Sequence, residues 1–281
     1  MNTIISLIRR HPQSSFWCIA CITFYVAAFQ GFTGAWAFLI YGSFLGGALV
    51  TGIADGRGGL KVYFGRLVRW RVGLVWYVIA LALPLLLNGL ALGLNYALGA
   101  ALPGNIQWPP AGDVAIAFIW PGLLGIALAE EPGFRGFALP RLLDRGTAIR
   151  AALIVGALHT LWHLPLLVQM LLEGYFIGVL TKGLIIVSAS IFFTWLFNNT
   201  GGSVLIAMLL HASEDLFAGD GSELTLGLLQ AGFSATDLVR QDILEAAVFV
   251  AVAALVTLAA GRELGRSAAS PPGSRLRPGV A

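Results

Sequence analysis

Apolar runs of about twenty residues, separated by short polar stretches, recur along nearly the whole chain. An α-helix needs roughly 20 such residues to cross a hydrocarbon core about 30 Å thick. Helices and closed barrels are the backbones that satisfy their own polar groups there. The runs fall at 14–32, 34–53, 72–101, 113–131, 148–172, 175–198, 202–219 and 241–261. They predict an all-α, polytopic membrane protein of about eight transmembrane helices. Composition removes the alternatives. The chain is 58% hydrophobic and 11% charged, against roughly 25% charged residues in a soluble domain. That many apolar residues also exclude an intrinsically disordered chain.

Between the second and third runs lies a basic segment, 55–71, in which Arg57, Lys61, Arg66, Arg69 and Arg71 alternate with Leu60, Tyr63, Phe64, Leu67 and Trp70. Such spacing suits a helix lying in a headgroup layer. The expected organisation is N-terminal membrane helices over 1–112, a central core over 113–219, a last membrane helix within 220–266, and a disordered Ser/Pro/Gly/Arg tail at 267–281. All lysines and arginines except Lys182 and Arg240 fall in alternate connections: Arg9 and Arg10, then 57–71, then 135–150, then 262–277. The intervening connections hold Asp113, Glu173, Asp220, Glu223 and Asp237. The positive-inside rule then places both termini in the cytoplasm, with Lys182 and Arg240 snorkelling at outer helix ends. The modest net charge of +3 fits membrane lipids as partners rather than nucleic acid. The first run lacks a small-residue cleavage site, so it is expected to be a retained helix and not a signal peptide. Cys18 and Cys21 stand three apart with no second pair, and read as two small apolar residues of a lipid-facing helix.

Ionisable side chains inside a bilayer are costly and tend to mark function. Here they cluster. Glu130 and Glu131 end the fourth run, with Arg135 just beyond; the fifth holds His159 and His163; the seventh holds His211, Glu214 and Asp215. Glu131 with Arg135, His159 with His163, and His211 with Asp215 are each four residues apart and share a helix face. The bland alternative is a set of interhelical hydrogen bonds that merely hold a bundle, and for His159 alone that reading is preferred. Two adjacent glutamates are an expensive adhesive.

The stretch Ala129-Glu130-Glu131-Pro132-Gly133-Phe134-Arg135-Gly136 resembles the E-E-x-x-x-R signature of the CPBP intramembrane proteases, which include the CAAX prenyl endopeptidases and bacteriocin-processing enzymes (the ABI domain). Leu161-Trp162-His163-Leu164-Pro165 is similar to that family's second motif, an aromatic residue four positions before a histidine. Leu210-His211-Ala212-Ser213-Glu214-Asp215 is similar to its last, H-x-x-x-N or the Asp variant. The resemblance makes 113–219 the catalytic core. It implies a hydrolase that cleaves a peptide or membrane-anchored protein, with Glu130, Glu131, Arg135, His163, His211 and Asp215 as site residues and no bound cofactor. The expected location is a bacterial plasma membrane. Two positions depart from the pattern: His159 replaces the aromatic, so phenylalanine is expected to be accepted there, and Asp215 replaces the asparagine.

Peptide hydrolysis needs an activated water, a donor for the oxyanion and a proton for the leaving amine. A carboxylate in a low-dielectric cavity is a competent general base. Helical spacing makes Glu131 the partner of Arg135 and leaves Glu130 as the base, near the cytosolic membrane face. The resemblance also places the first glutamate with the water, opposite His163; His211 would then serve the oxyanion, assisted by Asp215. Pro132 permits a kink that turns the glutamates toward a cavity. A zinc version would use Glu130, His163 and His211, although the H-E-x-x-H spacing of common zinc proteases is absent. A rhomboid-type serine site lacks its last glycine at Gly201-Gly202-Ser203-Val204, and an aspartyl site lacks its first glycine at Asp220. A proton-coupled transporter would also use buried Glu and His, but no repeat of the carrier kind is visible. A non-cleaving scaffold or immunity protein would not need an intact set of Glu130, Glu131, His163 and His211.

Overall fold

The computed structural model describes residues 2–217 and 226–265. The tail expected at 267–281, and the loop residues Asp220 and Glu223, lie outside the described residues. Among the described residues all regular structure is helical. Six helices are long and apolar enough to cross a membrane: α2 (Pro12–Phe29), α3 (Gly34–Leu67), α4 (Leu74–Ala97), α5 (Ala111–Leu143), α8 (Phe176–Asn199) and α10 (Ala235–Ala260). They follow a short amphipathic α1 (Asn2–Arg10). The bent pair α6 (Ala148–Trp162) and α7 (Leu164–Leu172) is together long and apolar enough for a broken span or a re-entrant loop. α9 (Val204–Phe217) has 14 described residues, too few to cross a bilayer alone. The chain is an integral, multi-pass membrane protein.

Three features differ from the reading of the runs, each for a stated reason. The second run and the basic segment form one helix, α3, turned at Gly56, whose φ of 66° is open chiefly to glycine. Beyond the turn the segment packs across the end of the bundle. Tyr63 and Arg66 point inward, where the Tyr63 hydroxyl donates to the Phe44 carbonyl (2.7 Å) and Arg66 to the Gly136 carbonyl (2.7 Å). The fourth run continues through Pro132 to Leu143 instead of stopping at Glu131, because wide π-type turns at Phe118–Ala127 and Pro132–Ala138 absorb the register shifts. The fifth run is broken at His163 by Pro165, which cannot donate to the Leu161 carbonyl; the Tyr25 hydroxyl donates to that oxygen instead (2.5 Å). The two pieces meet at 56°.

Among the described residues, the basic segments gather at one end of the bundle. Arg9 donates to the Ile53 carbonyl, the Ile149 amide to the Arg262 carbonyl, and Asn198 to the Glu263 carbonyl. Arg66, Arg135 and Arg141 belong to this half but are buried, so they are not the loop cations the charge pattern suggests. Arg141 pairs with Asp55. α8 packs against both α6 and α10, and α9 lies against α4 and α5, which brings the three polar runs to one interior.

Candidate active site

Pro132 sets the local backbone. A proline within a helix strips a donor from the ladder, and inside a bilayer another group must satisfy the freed carbonyls. Pro132 withholds its donor from the Leu128 carbonyl, and the next two carbonyls are met from another helix: the Ser43 hydroxyl, at the start of the regular part of α3, donates to the Ala129 carbonyl at 2.7 Å and lies 3.2 Å from that of Glu130. Gly133 makes the approach feasible, since a Cβ there would stand 2.6 Å from the Ser43 carbonyl oxygen. The two wide turns thus flank Leu128–Glu131, a single regular turn that carries both glutamates.

The glutamates face different surroundings. Glu131, fully buried, accepts from Arg135 Nη1 at 3.0 Å and from His211 Nδ1 at 2.7 Å, both on Oε1. The guanidinium of Arg135 lies 4.0 Å from the centre of the Phe193 ring, so the cation is enclosed by one carboxylate and one aromatic face. Glu130 instead has its Oε2 2.9 Å from His159 Nε2. The His159 ring lies 4.4 Å from that of Phe134 and 4.8 Å from that of His163. Behind them Phe134 stacks on Trp17 at 5.3 Å, and Trp162 Nε1 donates to the Ala20 carbonyl at 3.0 Å.

His163 sits at the α6–α7 bend, with Nδ1 3.1 Å from the His159 carbonyl oxygen. A donor at Nδ1 leaves Nε2 as an acceptor. His211 Nε2 faces Asp215 Oδ1 at 3.6 Å, and Asp215 Oδ2 is buried without a hydrogen-bond partner. Glu130, His163, His211 and Asp215 all line one cavity of about 740 Å³. Glu131 and Arg135 stand behind this wall.

All six residues expected from the sequence therefore come together, with Glu131 beside Arg135 as helical spacing suggests. Two further side chains join them. His159, read from the sequence as an interhelical hydrogen-bonding residue, is the hydrogen-bond partner of Glu130. Lys182, expected at an outer helix end, lines the cavity together with Asp215; a lone cation inside an apolar span was the available signal. Arg240, the other expected snorkelling residue, pairs with Asp237 and donates to Asn95, each at 2.6 Å. Ser203, the serine of the incomplete rhomboid pattern, is buried and donates to the Arg69 carbonyl (2.7 Å).

The side chains best placed to share a metal are Glu130, His159 and His163, whose ligand atoms lie within 4.8 Å of one another. This differs from the expected set, because His211 is engaged by Glu131 and faces Asp215. The cavity runs beyond the glutamates between several helices. Phe32 and Ala37, from the α2–α3 connection and the start of α3, and Gln169, Met170 and Glu173, from α7 and its end, complete its lining.

Comparison with known proteins supports the same reading. Residues 112–217 match the model of the Rce1-like family, the type II CAAX prenyl endopeptidases. The chain is also 29% identical over 102 residues to CAAX prenyl protease 2 of Methanococcus maripaludis, an alignment covering 32% of this chain and 35% of that protein. The chain thus matches about a third of the length of this curated relative. The matched segment, 112–217, carries every residue that the three motifs contribute.

Proposed function

We propose that the chain is an intramembrane endopeptidase of the CAAX type, in which Glu130 activates a water without a bound cofactor. The observation that carries this reading is the convergence of Glu130, His163, His211 and Asp215 on one cavity within the membrane. Water held between the Glu130 carboxylate and His163 Nε2 loses a proton to Glu130 as its oxygen adds to the scissile carbonyl carbon. His211 faces the same space and stabilises the oxyanion, with Asp215 orienting its ring. Glu130 then gives its proton to the amine as the C–N bond breaks, which regenerates the carboxylate. Glu131 and Arg135 do not touch the substrate in this scheme; they hold His211. The substrate is a peptide segment of a membrane-anchored protein, and lipid surrounds the exposed helix faces.

Glu130→Ala membranes should accumulate uncleaved forms of one or a few membrane proteins relative to wild type. Identical peptide profiles from the two strains would overturn the protease reading.

A zinc mechanism is favoured by the convergence of Glu130, His159 and His163. Against it stands His159 Nδ1, buried with no hydrogen-bond partner, since a metal-bound imidazole holds its second N–H on an acceptor. Purified protein should keep its activity through exhaustive chelation. Loss on chelation with recovery on added zinc would transfer the mechanism to the metal.

A further inference from the structure

A hydrolase inside a bilayer must bring water to its site, and hydrocarbon does not supply it. A second cavity, of about 110 Å³, lies against the catalytic one. His163, Lys182, His211 and Asp215 line both, so these side chains form the partition between them. Arg135, Glu214 and Glu245 add to a lining that is mostly ionisable. A buried water needs a cavity of roughly 10–15 Å³ and polar partners, so this space holds several. One such partner is in place: Asp215 presents Oδ1 to His211, while its buried Oδ2 has no hydrogen-bond partner within the protein. Ordered water satisfies atoms of this kind where there is room. Glu245 also lines a third cavity, of about 440 Å³, together with Asp242, Gln241 and Tyr175. Leu238, Asp242 and Glu245 recur at helical spacing on one face of α10, and the Tyr175 hydroxyl donates to Asp242. Ala235 and Leu238, on the wall of this third cavity, are exposed. α10 begins at Ala235, beside the Asp237–Arg240 pair. Glu245 stands roughly 15 Å further along the helix, near the middle of a core about 30 Å thick. The face that carries Asp242 and Glu245 thus leads from a helix end to the back of the catalytic wall.

We propose that the water consumed in hydrolysis reaches the site through these two smaller cavities, past Asp242 and Glu245, and not through the cavity that the substrate fills. The proposal rests on the protease reading for the use of the water; the hydrated route itself does not. A peptide seated in the large cavity excludes water from it, so a supply behind the wall lets each turnover replace the molecule held at His163. That histidine lines both spaces, which puts the reacting water at their junction. Glu245 borders both smaller cavities, so an apolar side chain there interrupts the path. It touches neither substrate nor Glu130 in this scheme, and is a positioning residue for water.

The test uses the full-length protein in detergent with Cys18→Ser and Cys21→Ser, neither of which lines the three cavities. Ala189→Cys then reports on the small cavity and Ala37→Cys on the large one. A small, charged methanethiosulfonate reacts with a hydrated thiolate, so its rate follows access of water. Glu245→Leu should slow modification of Ala189→Cys by about tenfold or more and leave that of Ala37→Cys unchanged. Glu245→Gln, which stays polar, should keep the parent rate. In cleavage of a membrane-anchored peptide, Glu245→Leu should lower kcat by about tenfold with KM unchanged, because substrate binding does not involve Glu245. Ala189→Leu fills the small cavity without removing a polar group; it should lower kcat likewise, and it stands in if Glu245→Leu fails to fold. An Ala189→Cys that is unreactive in the parent, or equally reactive with and without Glu245→Leu, overturns the route. So does a kcat unchanged in both Glu245→Leu and Ala189→Leu. Labelling needs no catalysis, so labelling that depends on Glu245 without any cleavage by the parent protein would remove the protease reading and leave the hydrated route standing.

Discussion

Glu130 and Glu131 are neighbours in sequence, yet their surroundings have little in common. Glu131 is sealed between Arg135 and His211 with no exposure, and its Oε1 accepts both contacts. Glu130 touches one imidazole, His159, and borders the open cavity. Identical carboxyl groups thus serve different ends because one regular turn, held between two wide ones, points them to different sides. A charge enclosed with a counter-charge is a structural pair, costly to break. A carboxylate at the wall of a water-accessible cavity is available for proton transfer. The sequence places the two side chains side by side; the helix sends them apart.

Substitutions test this division, the largest effect first. Arg135→Ala leaves the Glu131 carboxylate buried with one partner instead of two, and removing one member of a buried pair costs about 3–5 kcal/mol. Folded protein and activity should both collapse, read as loss of the detergent-stable monomer in size-exclusion chromatography. A stable Arg135→Ala protein would mean that Glu131 is not enclosed as described. Glu130→Gln should fold like wild type and lose roughly 10²–10⁴-fold in turnover, the range for a removed general base. If thermal stability falls as far as activity, Glu130 is a structural residue too and the contrast disappears.

His211→Ala bridges the two halves, since it frees Glu131 and removes a donor from the cavity. Turnover should fall by about 10²–10³-fold, as for a lost oxyanion donor, together with a measurable drop in melting temperature. A loss of stability alone would assign His211 to the Glu131 side. His159→Phe has a smaller expected effect, about 10–100-fold in kcat, equivalent to one hydrogen bond to a charged group. The commoner aromatic at this position would pack against Phe134 but leave Glu130 Oε2 without its partner. Full activity in His159→Phe would give His159 a packing role. Asp215→Asn should cost less than about tenfold, because the amide preserves shape and supplies a donor; a larger loss shows that the carboxylate charge is needed.

Much of this was visible before any tertiary structure. Apolar length and the scarcity of charge sufficed for an all-helical membrane protein, because bilayer thickness and backbone hydrogen bonding leave few alternatives. Fourfold spacing identified Glu131 as the partner of Arg135, a contact within one helix that follows from 3.6 residues per turn. Contacts between helices were not legible in this way. No spacing rule connects Glu130 to His159 across 29 residues or Glu131 to His211 across 80. For that reason the hydrogen bond expected of His159 had no named partner, and the pairing of His211 with Glu131 was not foreseen.

Helix continuity was also beyond the reach of local patterns. Pro132 and Pro165 carry the same chemical defect, yet α5 runs through the first while α6 ends just before the second. At Pro132 a wide turn forms and Ser43 satisfies the Ala129 carbonyl across the glycine gap at Gly133. At Pro165 the chain bends by 56° and Tyr25 takes the Leu161 carbonyl. A donor from another helix decided each case, and such a donor exists only after the bundle has formed. The motifs alone brought forward Glu130, Glu131, Arg135, His163, His211 and Asp215, while packing added His159 and Lys182. Packing determined which glutamate is enclosed and which histidine meets it, because each depends on neighbours distant in the chain.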